Sequence, residues 1–161
     1  MAEQSRHVDP VREAAGRQIL ELTDRFGFDA VAAGWMHDYP SGRWKYLLVT
    51  PMLSSKGPIW VYERLMRLFR HCPLPEGVSP LDLHVIDPVV EIALFGSPMV
   101  VVDSFRLPQG LEVSVAQDIA IDDFMIEEGF VSFQRRVPLQ LRTKNPAQTF
   151  DLRIRQLDRA A

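Results

Sequence analysis

The feature that most constrains the fold of this chain is a change of hydrophobic period within its first 50 residues. Five apolar residues first recur at the steps of one helical face: Val11, Ala15, Ile19, Leu22 and Phe26. Asp9 and Pro10 suit the start of this helix, and Gly27 suits its end. Residues 43–50 then alternate in the manner of a strand, so the chain must combine helix and sheet.

The rest of the chain continues this mixture of short strands and helices. Strands are predicted at residues 28–36, 43–50, 81–86, 99–105, 111–116, 130–137 and 149–157. Helices are predicted at residues 10–26, 58–70, 88–95 and in the acidic segment 118–128, although the β-branched residues of 88–95 also suit a strand. Short connections favour antiparallel pairing. The predicted fold class is therefore α+β, with a mainly antiparallel sheet and two main helices packed on one face.

The length and the cysteine content limit the organisation of the protein. A chain of 161 residues predicts one domain, so residues 1–161 are assigned to a single α+β domain, with a weak subdivision conceivable near residues 72–80. Cys72 is the only cysteine, which favours a reducing compartment. The first ten residues lack a secretory signal, and no apolar run approaches the roughly 20 residues that span a bilayer. We therefore expect a soluble, cytoplasmic protein with no membrane partner.

Charge is distributed unevenly along the chain. The net charge of −3 comprises +2 in residues 1–75, −10 in residues 76–130 and +5 in residues 131–161. The basic end could lie against the acidic middle within one fold, or the two could form separate faces for partners. The overall acidic charge argues against indiscriminate binding of duplex DNA.

The familiar catalytic and cofactor motifs are missing. No two of the nine glycines are closer than seven residues, which excludes the dinucleotide fingerprint and the Walker-type phosphate loop. The sequence also lacks the G-x-S-x-G elbow, the H-E-x-x-H motif and any paired cysteines. We predict no cofactor and no metal. Whether the protein is an enzyme stays open, because active sites can assemble from distant positions.

The segment Ser54-Ser55-Lys56 lies between a predicted strand and a predicted helix. Gly57 and Pro58 suit a helix start, which explains the segment without any ligand. The alternative is an anion-binding site, since free amide groups at a helix N-terminus favour anions and Lys56 adds a charge.

Four arginines near the C-terminus form a second candidate site. Arg135 and Arg136 lie in the predicted strand 130–137, and Arg153 and Arg155 share one face of the predicted strand 149–157. A paired ribbon of this kind could bind a protein partner or, without an aromatic stacking platform, less well an RNA. The structural alternative is a set of cross-strand ion pairs.

Three further groups have weaker signals. His71-Cys72 ends a helix, where the partial negative charge disfavours a thiolate, so we predict a structural role. Asp82 and His84 share one face of a predicted strand and could act as a pair, but a surface pair is the simpler interpretation. The carboxylates of residues 118–128 do not match a calcium loop and favour a solvated face or a contact for a basic partner.

The preferred function is a non-enzymatic interaction module with segregated acidic and basic faces. Strand edges near Pro138 and at the C-terminus would allow homodimerisation. One alternative is an enzyme or small-molecule binder that recognises a phosphate or carboxylate at Ser54–Lys56. Another is RNA binding through the C-terminal arginines.

Overall fold

The computed structural model describes residues 8–38, 42–92, 98–102, 123–126, 129–136 and 146–160. The helices are α1 (Pro10–Arg25), α2 (Met52–Lys56), α3 (Pro58–His71) and α4 (Pro146–Ala160), with a 3-10 turn at Pro80–Asp82. The strands are β1 (Ala32–Asp38), β2 (Arg43–Val49), β3 (Leu83–Ile86), β4 (Pro88–Ile92), β5 (Pro98–Val102), β6 (Asp123–Ile126) and β7 (Gly129–Arg136). These elements form an α+β fold.

The main sheet has five strands in the order β3-β2-β1-β7-β6. The pairs β1–β2, β1–β7 and β6–β7 are antiparallel, whereas β2 and β3 are parallel. A separate antiparallel pair joins β4 to β5. The prediction of a mainly antiparallel sheet is wrong, because the sheet is mixed.

The parallel pair follows from the order of the elements. Helices α2 and α3 lie between β2 and β3, and a strand that returns through a helical crossover enters the sheet parallel to the strand it left. Register runs from Tyr46 opposite Leu83 to Val49 opposite Ile86. The sequence contained this strand-helix-strand order. The prediction of antiparallel pairing rested instead on the short loops between the other strands.

Helix α1 confirms the local prediction at both ends. The carboxylate of Asp9 accepts a hydrogen bond of 2.9 Å from the backbone N–H of Arg12, and Pro10 occupies the first turn. Gly27 follows the helix with a φ of +80°, which glycine adopts without the strain a Cβ would cause. The helix is therefore defined locally before it packs on the sheet.

Both faces of the sheet are buried. On one face, Tyr46 and Leu48 of β2 join a core that includes Ile19 of α1 and Leu65 of α3. Successive strand residues point to opposite faces, so Leu47 belongs to the other face. The side chains on this second face are buried as well, namely those of Leu47, Val49, Ile86 and Met36. The central strands therefore carry buried side chains on both faces.

The segment 149–157 is helical, so the strand predicted there is wrong. Alternation of Leu152 and Ile154 with charged residues resembles the two-residue period of a strand. The buried residues of α4 are Phe150 and Ile154, which are four apart and lie on one helical face. Leu152, by contrast, is 55% exposed. The C-terminal strand edge proposed for homodimerisation is therefore absent.

Two other predictions of helix are also wrong. Residues 88–92 form strand β4, as their β-branched composition allowed. Residues 123–126 form strand β6 within the segment predicted as an acidic helix. The predicted strand 111–116 and Pro138 lie outside the described residues.

Helices α3 and α4 are joined by charged side chains. Arg64 Nε lies 2.7 Å from Asp151 Oδ1, His71 Nε2 lies 3.0 Å from Asp158 Oδ1, and Arg67 also contacts Asp158. The partners 64–151 and 71–158 are both 87 residues apart. Contacts that advance together along two helices mean that the helices run in the same direction.

Candidate functional site

A pocket of about 550 Å³ lies where β2 begins and β3 has not yet started. Its walls come from the first turns of α1, from Trp35, from residues 42–45 and from residues 76–82. Strand β2 starts three residues before its pairing with β3, which begins at Tyr46. The extra length of β2 and the loop before β3 leave the space between them. A volume of this size is typical of small-molecule sites, which occupy about 300–1,000 Å³.

The N-terminus of α1 forms one wall and is fixed to the sheet. Trp35 Nε1 donates a hydrogen bond of 2.7 Å to the backbone carbonyl of Arg12. One residue further along the helix, Gln134 Nε2 donates to the carbonyl of Glu13 at 2.8 Å, and Tyr46 Oη donates to Gln134 Oε1 at 3.0 Å. Burial raises the pKa of the Tyr46 hydroxyl, which keeps it protonated as a donor. The pocket therefore has a wall that the core holds in place.

Two indole rings contribute to the floor. Trp35 and Trp44 meet edge to face with ring centroids 6.5 Å apart. The guanidinium carbon of Arg12 lies 4.9 Å from the centroid of the Trp44 ring, and Arg12 also pairs with Asp9. The hydrogen bond from the Arg12 backbone lowers the pKa of Asp9, so the pair stays charged in neutral solution.

The opposite wall is the loop before β3, which caps itself. Ser79 Oγ accepts a hydrogen bond of 3.1 Å from the Leu81 N–H, and Asp82 Oδ2 accepts one of 2.8 Å from the Ser79 N–H. The side chain of Leu81 projects into solvent and is 90% exposed, and Val11 across the pocket is 74% exposed. The rim is therefore apolar on both sides.

Charged residues of both signs border the pocket. The cations are Arg12, Arg43 and Lys45, and the carboxylates are Asp9, Glu76 and Asp82. Strand alternation puts Arg43 and Lys45 on the face of β2 that carries Leu47, opposite to Trp44. On that face, burial and the charge of Lys45 together lower the pKa of His84. Arg12 is therefore the cation on the tryptophan side of the pocket.

The predicted anion-binding residues Ser54, Ser55 and Lys56 lie elsewhere. They belong to the short helix α2 and not to a loop, so that part of the prediction is wrong. The Ser54 N–H donates a hydrogen bond of 2.8 Å to Asp87 Oδ1, and the Ser55 hydroxyl donates one of 3.4 Å to the Met52 carbonyl. The ammonium of Lys56 lies 5.9 Å from the Trp60 ring centroid. This chain itself thus supplies partners for all three residues.

The four predicted partner-binding arginines do not share a β-ribbon. Arg135 and Arg136 lie in β7, whereas Arg153 and Arg155 lie in helix α4. Arg135 binds the carboxylate of Asp24 with two nitrogens, and this hydrogen bonding raises the pKa of the guanidinium further. Arg135 and Arg153 nevertheless contact adjacent residues at the end of α1, namely Asp24 and Arg25.

The two arginines of α4 also have partners within the chain. Arg153 donates to the Arg25 carbonyl at 2.7 Å, which ties α4 to the end of α1. Arg155 pairs with Asp151 of its own helix at 3.0 Å. These contacts join the C-terminal segment to the N-terminal third and to itself. They differ from the predicted pairing with the acidic residues 76–130.

The other sequence candidates also separate in space. Asp82 belongs to the 3-10 turn and caps Ser79, so it does not share a strand face with His84. His71 pairs with Asp158, which agrees with the structural role predicted for the end of α3. Most of the acidic segment 118–128 lies outside the described residues. Within them, no group of three or more His, Cys, Asp or Glu side chains is placed to hold a metal ion.

Sequence reasoning missed the pocket because its walls are distant in the chain. Arg43, Trp44 and Lys45 were interpreted only as part of a strand, and residues 72–80 only as a loop or linker. The available signal was Trp44 at the start of a strand, which indicates a site only when the opposite wall is known.

Comparison with known proteins gives no match for this chain. The chain matches no protein-family model, no curated protein and no solved structure. Within the described residues, no helix combines the length and the apolarity needed to cross a membrane.

Proposed function

We propose that this protein is a binding domain whose pocket takes a small organic molecule with an oxyanion group and an apolar part. The observation that carries the proposal is the Arg12 guanidinium, which borders the pocket beside the Trp44 ring. A guanidinium has five N–H donors, so a carboxylate or phosphate can bind Arg12 alongside Asp9. The indole of Trp44 and the exposed side chains of Val11 and Leu81 would cover the apolar part.

This proposal keeps the anionic ligand of the sequence-based alternative and moves its site. The Ser54 N–H already donates to Asp87, so the chain provides its own carboxylate at the start of α2. The arginine-based partner site draws less support, since Arg135 and Arg153 are engaged by Asp24 and by the Arg25 carbonyl.

Tryptophan fluorescence gives a direct test. The chain has three tryptophans, and Trp35 and Trp44 line the pocket whereas Trp60 packs against Phe150. In a Trp60→Phe background, 3-phenylpropanoate and phenyl phosphate are titrated separately. At least one of them is expected to change the emission saturably and to raise the melting temperature, because ligands that bind only the folded state stabilise it.

Two variants that each remove a cation locate the site. Arg12→Met keeps an aliphatic side chain and removes the charge, so it is expected to abolish the saturable response. Lys56→Met is the control and is expected to leave the response unchanged. Loss of binding in Lys56→Met with retention in Arg12→Met would move the site to Ser54–Lys56 and overturn the proposal. The absence of a saturable response to either probe would also overturn it.

A further inference from the structure

The N-terminal end of α1 offers few backbone donors to an anion in the pocket. The N–H of Arg12 donates to the Asp9 carboxylate, and the N–H of Glu13 donates to the Asp9 carbonyl. Pro10, in the first turn, has no N–H to offer. Phosphate groups at helix ends are held by N–H groups of this kind. This helix end therefore has little capacity left for a phosphate.

The loop before β3 also uses its own backbone donors. The Ser79 N–H donates to the Asp82 carboxylate, and the Leu81 N–H donates to the Ser79 hydroxyl. The Val78 and Asp82 N–H groups donate to backbone carbonyls of the same loop. These four groups are paired within the loop and are not available to a ligand. The donors for an oxyanion must therefore come from a side chain.

The guanidinium of Arg12 has one edge free for an oxyanion. Its Nη1 pairs with Asp9, and within the described part of the chain its Nε and Nη2 form no hydrogen bond. Nε and Nη2 present two parallel N–H bonds, which match the two oxygens of one carboxylate. Arg43 and Lys45 lie on the opposite face of β2 and do not add to this edge.

Carboxylates outnumber cations around the space beside Trp44. Arg12 balances Asp9, which leaves Glu76 and Asp82 on the opposite wall as excess negative charge. Their repulsion of a ligand grows in proportion to the charge that the ligand carries. In neutral solution a phosphate monoester carries about 1.5 to 2 negative charges, whereas a carboxylate carries one. A phosphate therefore meets the stronger repulsion.

We infer that the pocket selects monoanionic carboxylic acids over dianionic phosphates, with Arg12 as the carboxylate-binding residue and Glu76 as a determinant of this specificity. The inference rests on the proposed function and adds the class of the ligand. The free edge of Arg12 supplies two donors, which a carboxylate uses fully. A phosphate brings a third oxygen and additional charge, for which the walls supply Glu76 and Asp82 in place of donors.

Three matched probes test the inference by isothermal titration calorimetry in neutral solution. 3-Phenylpropanoate is a monoanion, and benzyl phosphate has a similar length but is mainly a dianion. Benzyl methyl phosphate keeps the phosphorus centre and carries only one charge. 3-Phenylpropanoate is expected to bind about tenfold more tightly than benzyl phosphate, because the second charge is repelled by two carboxylates. Benzyl methyl phosphate is expected to bind more tightly than benzyl phosphate for the same reason.

A carboxylate variant tests the role of Glu76. Glu76→Gln removes one charge from the wall, so it is expected to raise the affinity for benzyl phosphate about threefold and that for 3-phenylpropanoate by less. Glu63→Gln is the control, since Glu63 is an exposed residue of α3 outside the pocket. It is expected to change neither affinity.

The outcomes separate this inference from the proposed function. Binding of benzyl phosphate as tight as that of 3-phenylpropanoate, or tighter, would overturn the inference and leave the proposed function intact. Benzyl methyl phosphate that binds no more tightly than benzyl phosphate would contradict the dependence on charge. An unchanged ratio of affinities in Glu76→Gln would refute the role of Glu76. Failure of all three probes to bind would overturn the proposed function itself.

Discussion

At the scale of single residues, Gly34 shows how the sheet depends on a missing side chain. A Cβ on Gly34 would lie 2.7 Å from the Cα of Phe133 and even closer to the Ser132 carbonyl. The pairing of β1 with β7 shifts register between Ala33 and Gly34, so the backbones approach at an irregularity. Gly34 thus permits a contact that any larger residue would obstruct.

Gly34→Ala is therefore expected to destabilise the fold by about 3 kcal/mol, because a strand backbone must move to admit the methyl group. Urea denaturation monitored by circular dichroism measures the loss. Gly42→Ala is the comparison, since Gly42 has a φ of +65° and no atom lies within 4 Å of the place where its methyl carbon would be. It is expected to cost about 1–2 kcal/mol through backbone strain alone. A cost for Gly34→Ala no larger than this would contradict the close approach.

At the scale of elements, α4 shows why a period can be misread. Residues 150–155 satisfy a strand pattern and a helical pattern at once, because Ile154 is two residues from Leu152 and four from Phe150. Local pattern alone could not decide between them. The decision came from tertiary packing, which buries Phe150 edge to face with Phe28. Where only one period fits, as in α1, the sequence was sufficient for both the helix and its ends.

Truncation of two side chains of similar size distinguishes the helical pattern from the strand pattern. Ile154 is fully buried in the helix, whereas Leu152 is 55% exposed. Ile154→Ala is expected to lower the free energy of unfolding by about 2–5 kcal/mol. Leu152→Ala is expected to change it by no more than about 0.5 kcal/mol. Comparable losses in urea denaturation would instead favour the predicted strand, in which the two side chains share a face.

At the scale of the whole molecule, the central strands have buried side chains on both faces. The sequence indicated helices on one face, and this face holds the core of α1, α3 and α4. It did not indicate the second buried face, because β2 carries Leu47 and Val49 next to Arg43 and Lys45 on that side. The candidate pocket was not predicted, for a related reason. Its walls meet only after the crossover through α2 and α3 has placed the loop before β3 beside β2.

Because both faces of β2 are buried, truncation of neighbouring residues is expected to lower the free energy of unfolding by similar amounts. Leu47 and Leu48 point to opposite faces, and both are fully buried. Leu47→Ala and Leu48→Ala are each expected to destabilise the protein by about 2–5 kcal/mol in urea denaturation. Leu81→Ala, at an exposed position, serves as the control for loss of the same atoms. A Leu47→Ala variant as stable as the Leu81→Ala variant would mean that the second face is open to water.

The parallel arrangement of α3 and α4 has an electrostatic consequence. Side-by-side parallel helices bring their C-terminal ends together, and each end carries the equivalent of about half a negative charge. Asp158 adds a full negative charge there, Arg67 of α3 neutralises it, and His71 Nε2 lies within hydrogen-bonding distance of the same carboxylate. Hydrogen bonding from Arg67 lowers the pKa of Asp158, so the carboxylate stays ionised through the neutral range. One set of basic side chains therefore serves the ends of both helices, so the detachment of α4 would also leave the end of α3 with unbalanced charge.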